Sequence, residues 1–218
     1  MELHMDKMYP AMPPDYLDPN LEIAKHGKVL PHWQQGEAYV FVTWRLADAI
    51  PKEKMLPLAA YRKTWLQLHP EPWDARTEWE YHETFSKQID AWLDAGSGSC
   101  VLRRTDAREI VVGALQHFEG ERYLLESYVV MPNHVHVLFQ PNASHGLGDI
   151  VRSWKQYTAS KINALLGKSG SLWQERYWDR LLRNPAHHCK CREYVRENPA
   201  KAKLRMGSLV FGSVSGAR

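Results

Sequence analysis

Short runs rich in β-branched and aromatic residues alternate along the chain with longer stretches in which apolar residues recur every three or four positions. The run from Glu37 to Ala47, EAYVFVTWRLA, predicts a first strand, and a central one because both of its faces carry bulky groups. From Leu58 to Ala95 the spacing is helical, with Tyr61, Trp65 and Leu68 at i, i+4 and i+7, an interruption at His69-Pro70-Glu71-Pro72, and a resumption through Trp79, Phe85, Ile89, Trp92 and Leu93. Gly96 to Ser99 reads as a turn, and Thr105-Asp106 caps a helix running to about Phe118. Tyr123 to Met131 and His134 to Gln140 are strands separated only by Pro132-Asn133, which predicts an antiparallel hairpin. A helix from Gly146 to Leu166 follows, with Ile150, Trp154, Tyr157 and Ile162 expected to be buried. Trp178 to Arg183 is a short strand, and Pro185 opens a last helix expected to end near Asn198, because Pro199 disfavours helical geometry at the residue before it.

This order predicts an α+β sandwich of ferredoxin-like or RRM-like form, with one antiparallel sheet and helices packed mainly on one face. The chain of 218 residues suits one domain with ragged ends. Residues 1–35 read as an N-terminal arm, 36–206 as the domain with a helical insertion at about 58–95, and 207–218 as a Gly/Ser tail. No internal repeat is present.

Composition changes this picture in one respect. Nine Trp and ten Tyr are many flat rings for a chain of this size, and they suit either stacking on nucleic-acid bases or a Trp-rich core. The formal charge of +3 hides an asymmetry: residues 146–206 hold 13 Lys/Arg against 5 Asp/Glu, hence +8, which leaves −5 for the rest. A basic face concentrated in one third of the chain points to a polyanion partner, although solvated helix faces can also be basic. No apolar run approaches the roughly 20 residues needed to span a bilayer, and the first residues lack a signal pattern, so a soluble, cytoplasmic protein without a membrane partner is expected. Cys100, Cys189 and Cys191 are an odd number, which argues against a disulfide framework.

Within the predicted hairpin, alternate side chains share a face, so His134 and His136 point one way and Val135, Val137 and Phe139 the other. The valine side is expected to be the core and the histidine side the outer face. Two imidazoles about 7 Å apart along a strand can reach one metal ion, yet a chain with 11 His can produce such a triplet by chance. A second concentration of ligands, His187-His188-Cys189-Lys190-Cys191, lacks the distant ligand pair that structural zinc needs, and is expected to pack or face solvent.

The setting of the histidine pair is more specific. Met131-Pro132-Asn133-His134-Val135-His136 resembles the "MPNHVH" signature of the HUH single-tyrosine transposases, and among them the REP-associated tyrosine transposases. Downstream, Ser153 to Thr158 is similar to the family's helix after the hairpin, Leu172 to Asp179 to its "LWQxxFWD" box, and Tyr194 to Pro199 to its "YIxxNP" ending. The resemblance covers about residues 123–205; the arm and the segment around 50–100 match no motif of the family.

That resemblance implies a catalytic domain over 36–206, catalytic His134, His136 and Tyr194, and a divalent Mg or Mn ion held by His134, His136 and Asn198. Tyr194 and Asn198 stand at i and i+4 of a helix, so a helix that brings in the phenol brings in the amide. Such a protein would be an endonuclease and strand transferase acting on single-stranded or hairpin, REP-like DNA through a 5′-phosphotyrosine, as a monomer or possibly a dimer. Other readings are a non-cleaving hairpin-binding module and a metal nuclease that uses water. Arg152, Lys155, Lys161, Arg176, Arg180, Arg183, Lys190 and Lys201 are the candidates to track a DNA backbone, with Trp173 or Trp178 to stack on bases. Tyr157 and Tyr177 read as structural.

Overall fold

The computed structural model describes residues 15–26, 32–70, 73–201 and 210–213. Two short strands absent from the sequence reading, β1 (Ala24–His26) and β2 (His32–Gln34), pair with each other ahead of the main sheet. That sheet contains β3 (Val40–Arg45), β4 (Tyr123–Val130), β5 (His134–Pro141), β6 (Trp178–Leu181) and β7 (Val210–Ser213), all antiparallel in the order β6-β3-β5-β4-β7. β3 has a strand on each side, the central place its bulky faces predicted. The Pro132-Asn133 connection closes the β4–β5 hairpin, where the Met131 amide donates to the His134 carbonyl at 2.9 Å.

The two faces of this sheet bury different things. Val40, Val42 and Trp44 of β3 and Val135, Val137 and Phe139 of β5 join one core, which α4 (Thr105–Gln116) and α5 (Leu147–Leu166) cover. Phe41, Val129, Met131 and Leu138 point the other way and meet Val195 of α6 (Pro185–Lys201). In β4 the buried parity changes from Tyr123 and Leu125 to Tyr128 and Val130, because a bulge between Leu125 and Ser127 inserts Glu126 and turns the later residues over.

On α5 the buried stripe is Ile150, Trp154, Thr158 and Ile162, and Tyr157 is 51% exposed, contrary to expectation. The reason is spacing: Thr158 lies four residues from both Trp154 and Ile162, and its hydroxyl is satisfied inside by donating to the Trp154 carbonyl and accepting from Trp173 Nε1. α6 runs on through Pro199 to Lys201 rather than stopping near Asn198. In the last turn the proline ring costs one hydrogen bond, to the Val195 carbonyl, which the helix survives.

The helical segment consists of α1 (Lys52–Leu68), α2 (Ala75–Tyr81), a π-helical turn over His82–Ser86 and α3 (Lys87–Asp94). Trp65, Tyr81 and Phe85 form their own aromatic cluster, while Tyr61 and Leu68, two members of the predicted stripe, are exposed. Leu93 of α3 enters the main core, so the segment is anchored at its C-terminal end. From Asp15 onward the predicted arm is fastened to the body: Leu17 N–H donates to the Leu182 carbonyl, Tyr39 N–H to the Asp15 carbonyl, and the Leu147 amide at the start of α5 donates to Gln34 Oε1 at 2.7 Å. The predicted tail contributes β7 to the sheet edge.

Three of the tryptophans serve the core. Trp154 stacks with Trp44 and donates to the buried Tyr123 hydroxyl, which donates in turn to the Leu115 carbonyl. Trp154→Ala is expected to destabilise the fold by about 3–5 kcal/mol, while Tyr157→Ala on the same helix changes stability by about 0.5 kcal/mol at most. Urea denaturation midpoints of the two variants check this.

Candidate functional site

His134 and His136 do not lie on a wet surface. Each is 1% exposed, because α6 covers their face of the sheet. The expectation of an outer face fails because a strand's alternation separates its two faces without saying whether a distant helix covers the second one. The ring centroids are 4.7 Å apart. Each ring is turned by a hydrogen bond at Nδ1: His134 to Asn133 Oδ1 at 2.8 Å and His136 to Thr43 Oγ1 at 2.7 Å. Donation from Nδ1–H in both leaves both Nε2 atoms with lone pairs. Burial, with Arg45 nearby, pushes His134 down to about 3, and burial, with His134 nearby, holds His136 well below the usual imidazole range, so both rings are neutral at pH 7.

α6 brings the other two residues. The Tyr194 ring lies 5.2 Å from that of His136 and 5.9 Å from that of Phe41. Asn198, one turn on and 1% exposed, donates from Nδ2 to His136 Nε2 at 3.3 Å and is also hydrogen-bonded to the Tyr194 hydroxyl. The structure thus brings His134, His136, Tyr194 and Asn198 to one place. Burial raises the Tyr194 phenol strongly, as do the carboxylates of Asp90 and Asp94, the first of which accepts its hydrogen bond; Asn198 acts in the opposite sense.

Among the described residues, His134 Nε2 and Asn198 Oδ1 are buried without a hydrogen-bond partner. Such orphaned acceptors cost free energy unless something electrophilic meets them. Together with His136 Nε2 they form a donor set of two imidazoles and one amide oxygen, which fits a divalent cation with open positions. Among the described residues no group of three His, Cys, Asp or Glu side chains could hold a metal, so the pair needs a ligand of another type. The His187–Cys191 cluster is used otherwise: His188 bonds the Tyr16 hydroxyl at 3.0 Å and the Glu126 carboxylate.

Several neighbours were given no part in the site by the sequence reading. Asn133, fully buried, donates to the carbonyls of Leu93 at 3.2 Å and Ser97 at 3.1 Å while it holds His134, and so joins the histidine hairpin to the end of α3. Asp90 and Asp94 come from the helical segment that matched no motif. Thr43 and Arg45 stand directly opposite His136 and His134 in the β3–β5 register, a pairing that a strand order would have disclosed.

The basic candidates divide. Arg180, whose guanidinium lies 5.8 Å from the centroid of the Trp178 ring, is paired with Phe41 in register and shares the histidine face. Lys190 on α6, and Arg176 and Arg183 flanking β6, are exposed. Arg152, Lys155 and Lys161 belong to α5, across the sheet from the histidines: Arg152 pairs with Asp149, and Lys161 lies against the exposed Tyr157. Lys155 is held by the carbonyls of Gln174 at 2.8 Å and Glu175 at 2.6 Å, with burial pushing it down to about 8, so it pins the loop before β6. Trp173 is no stacking platform. It is 5% exposed within the core, where its indole N–H is already used by Thr158. Lys201 ends α6.

Residues 103–198 match the family model of IS200-like transposases. No curated protein matches the chain. Among solved structures, the chain is similar to a REP-associated tyrosine transposase bound to a REP hairpin, with a TM-score of 0.44 and 14% identity over 80% of this chain and 74% of that one. It is also similar to a protein of Deinococcus radiodurans R1 described as a transposase, with a TM-score of 0.29 and 18% identity over 80% of this chain and 98% of that one. The family match takes in the histidine hairpin, α5, β6 and α6 as far as Asn198.

Proposed function

We propose that this protein cuts and rejoins single-stranded or hairpin DNA, with Tyr194 as nucleophile and with Mg²⁺ or Mn²⁺ held by His134, His136 and Asn198. The observation that carries this reading is the meeting of the Tyr194 hydroxyl, the Asn198 amide and the His136 ring in one buried place, next to two acceptor atoms with no partner. A bound divalent ion would polarise a phosphate there and offset the charge of an attacking phenolate.

The chain's own residues supply the rest. Phe41 and His136 fix the phenol ring from two sides, so its oxygen approaches from a set direction. In the cutting step the Tyr194 oxygen bonds to phosphorus as the bond from phosphorus to the 3′ oxygen breaks. The phenolic proton passes to Asp90, which already accepts it in a hydrogen bond, and the departing 3′ oxygen takes a proton from water. The products are a 5′-phosphotyrosyl end and a free 3′-OH. Burial and two carboxylates keep the phenol protonated until a strand arrives, so the nucleophile is idle without substrate. Arg180, Arg183 and Lys190 are the side chains from which a strand backbone would take its path to the site.

Incubation with labelled hairpin DNA and Mn²⁺, followed by a denaturing gel, tests the reading. A slow-migrating covalent adduct is expected, and Tyr194→Phe should abolish it. Binding without any adduct would favour a hairpin-binding module, and cut ends free of protein would favour a nuclease that activates water. Thr43→Val, which removes the partner of His136 Nδ1, should weaken Mn²⁺ binding by about 10-fold or more in calorimetry while leaving the fold intact. Unchanged affinity would exclude His136 as a ligand.

A further inference from the structure

We propose that Arg45 binds a phosphate of the DNA strand at the histidine pair, as a clamp separate from the metal ligands. The inference rests on reading that pair as a strand-binding site. Arg45 is opposite His134 in the β3–β5 register, so the two side chains rise from the same face with Cβ atoms about 5 Å apart. Its guanidinium is half-buried, and the one acceptor it meets among the described residues is the Met55 sulfur of α1, at 3.5 Å. A thioether is a weak acceptor on a flexible stem, and it leaves the charge unanswered.

Other arginines show how this protein ordinarily treats that group. Arg108, more deeply buried, donates to the carbonyls of Leu102 and Arg103 and to the Thr105 hydroxyl. Arg104 and Arg152, at the surface, pair with Asp106 and Asp149. Among the described residues Arg45 has neither oxygen acceptors nor a carboxylate, although burial lowers its proton affinity to about 10 and it remains charged at pH 7. A planar cation withdrawn from water lacks an oxyanion that would accept from its fork, and a phosphodiester oxygen has that geometry.

Position determines which phosphate. A phosphate oxygen that accepted from the Arg45 fork would lie between β3 and β5 beside His134, on the face from which Tyr194 approaches. The cation next to His134 is also an obstacle to a second cation there. A phosphate between them removes that repulsion, so strand binding and metal binding would assist each other.

The test uses the full chain and a fluorescein-labelled single strand of about twenty thymidines, read by anisotropy across a salt series. Arg45→Met, which keeps the stem against Met55, should weaken binding about 10-fold and reduce the slope of log affinity against log salt by about 0.7, one phosphate contact on a single strand. Arg45→Lys should retain the slope but lose several-fold in affinity, because a point charge replaces the fork. Arg76→Gln, at an exposed pair on α2, should change neither quantity. Unchanged affinity and slope in Arg45→Met would overturn the assignment. If that variant melts earlier than wild type, Arg45→Lys decides, and affinity equal to wild type overturns it. A wild-type chain that binds no strand defeats the strand-site reading as well, whereas binding without a covalent adduct defeats only the role of Tyr194.

Discussion

Strand β5 is covered on both sides, and the double burial is what gives the histidine pair its properties. Val135, Val137 and Phe139 fill one core as hydrocarbons do, at no polar cost. Their alternates are two imidazoles, each with two nitrogens to satisfy away from water. Asn133 and Thr43 satisfy one nitrogen of each ring and fix its orientation. The remaining nitrogens face α6, where Asn198 meets one and the other stays open. Take α6 away, and the second nitrogen of each ring would meet water, while Asn133 and Thr43 still held the first.

The helical segment has a structural part in this arrangement that its own aromatic cluster would not suggest. Through Asn133, the carbonyls of Leu93 and Ser97 share an amide with the ring of His134. Through Asp90 and Asp94, the same helix sets the charge around Tyr194. A segment that matches no family motif is therefore in contact with both halves of the site, the strand that carries the imidazoles and the helix that carries the phenol.

Much of the framework was legible because local spacing records it. The hairpin around Pro132-Asn133, the valine face of β5 and the helix from 147 to 166 all follow from period and turn chemistry. The four residues of the site could be named because their motifs stand in order along the chain. What stayed hidden is nonlocal. Nothing near His134 says that α6 will cover it, nothing near Lys155 says that two carbonyls twenty residues away will hold its ammonium, and nothing near Trp173 marks it as core rather than as a platform. Where local reading erred outright, a neighbour competed: Thr158 took the buried position expected of Tyr157, and the Glu126 bulge reversed the faces of β4 midway.

The proline after Asn198 has a mechanical meaning. With no N–H at residue 199, the Val195 carbonyl receives no bond from the next turn, so the ladder of α6 lacks one rung between Tyr194 and Asn198. The sheet side of the site has no such freedom, since β5 is laced to a strand on either side. The Tyr194 phenol thus hangs from a helix with a rung missing, while the groups that face it stay on a fixed anvil.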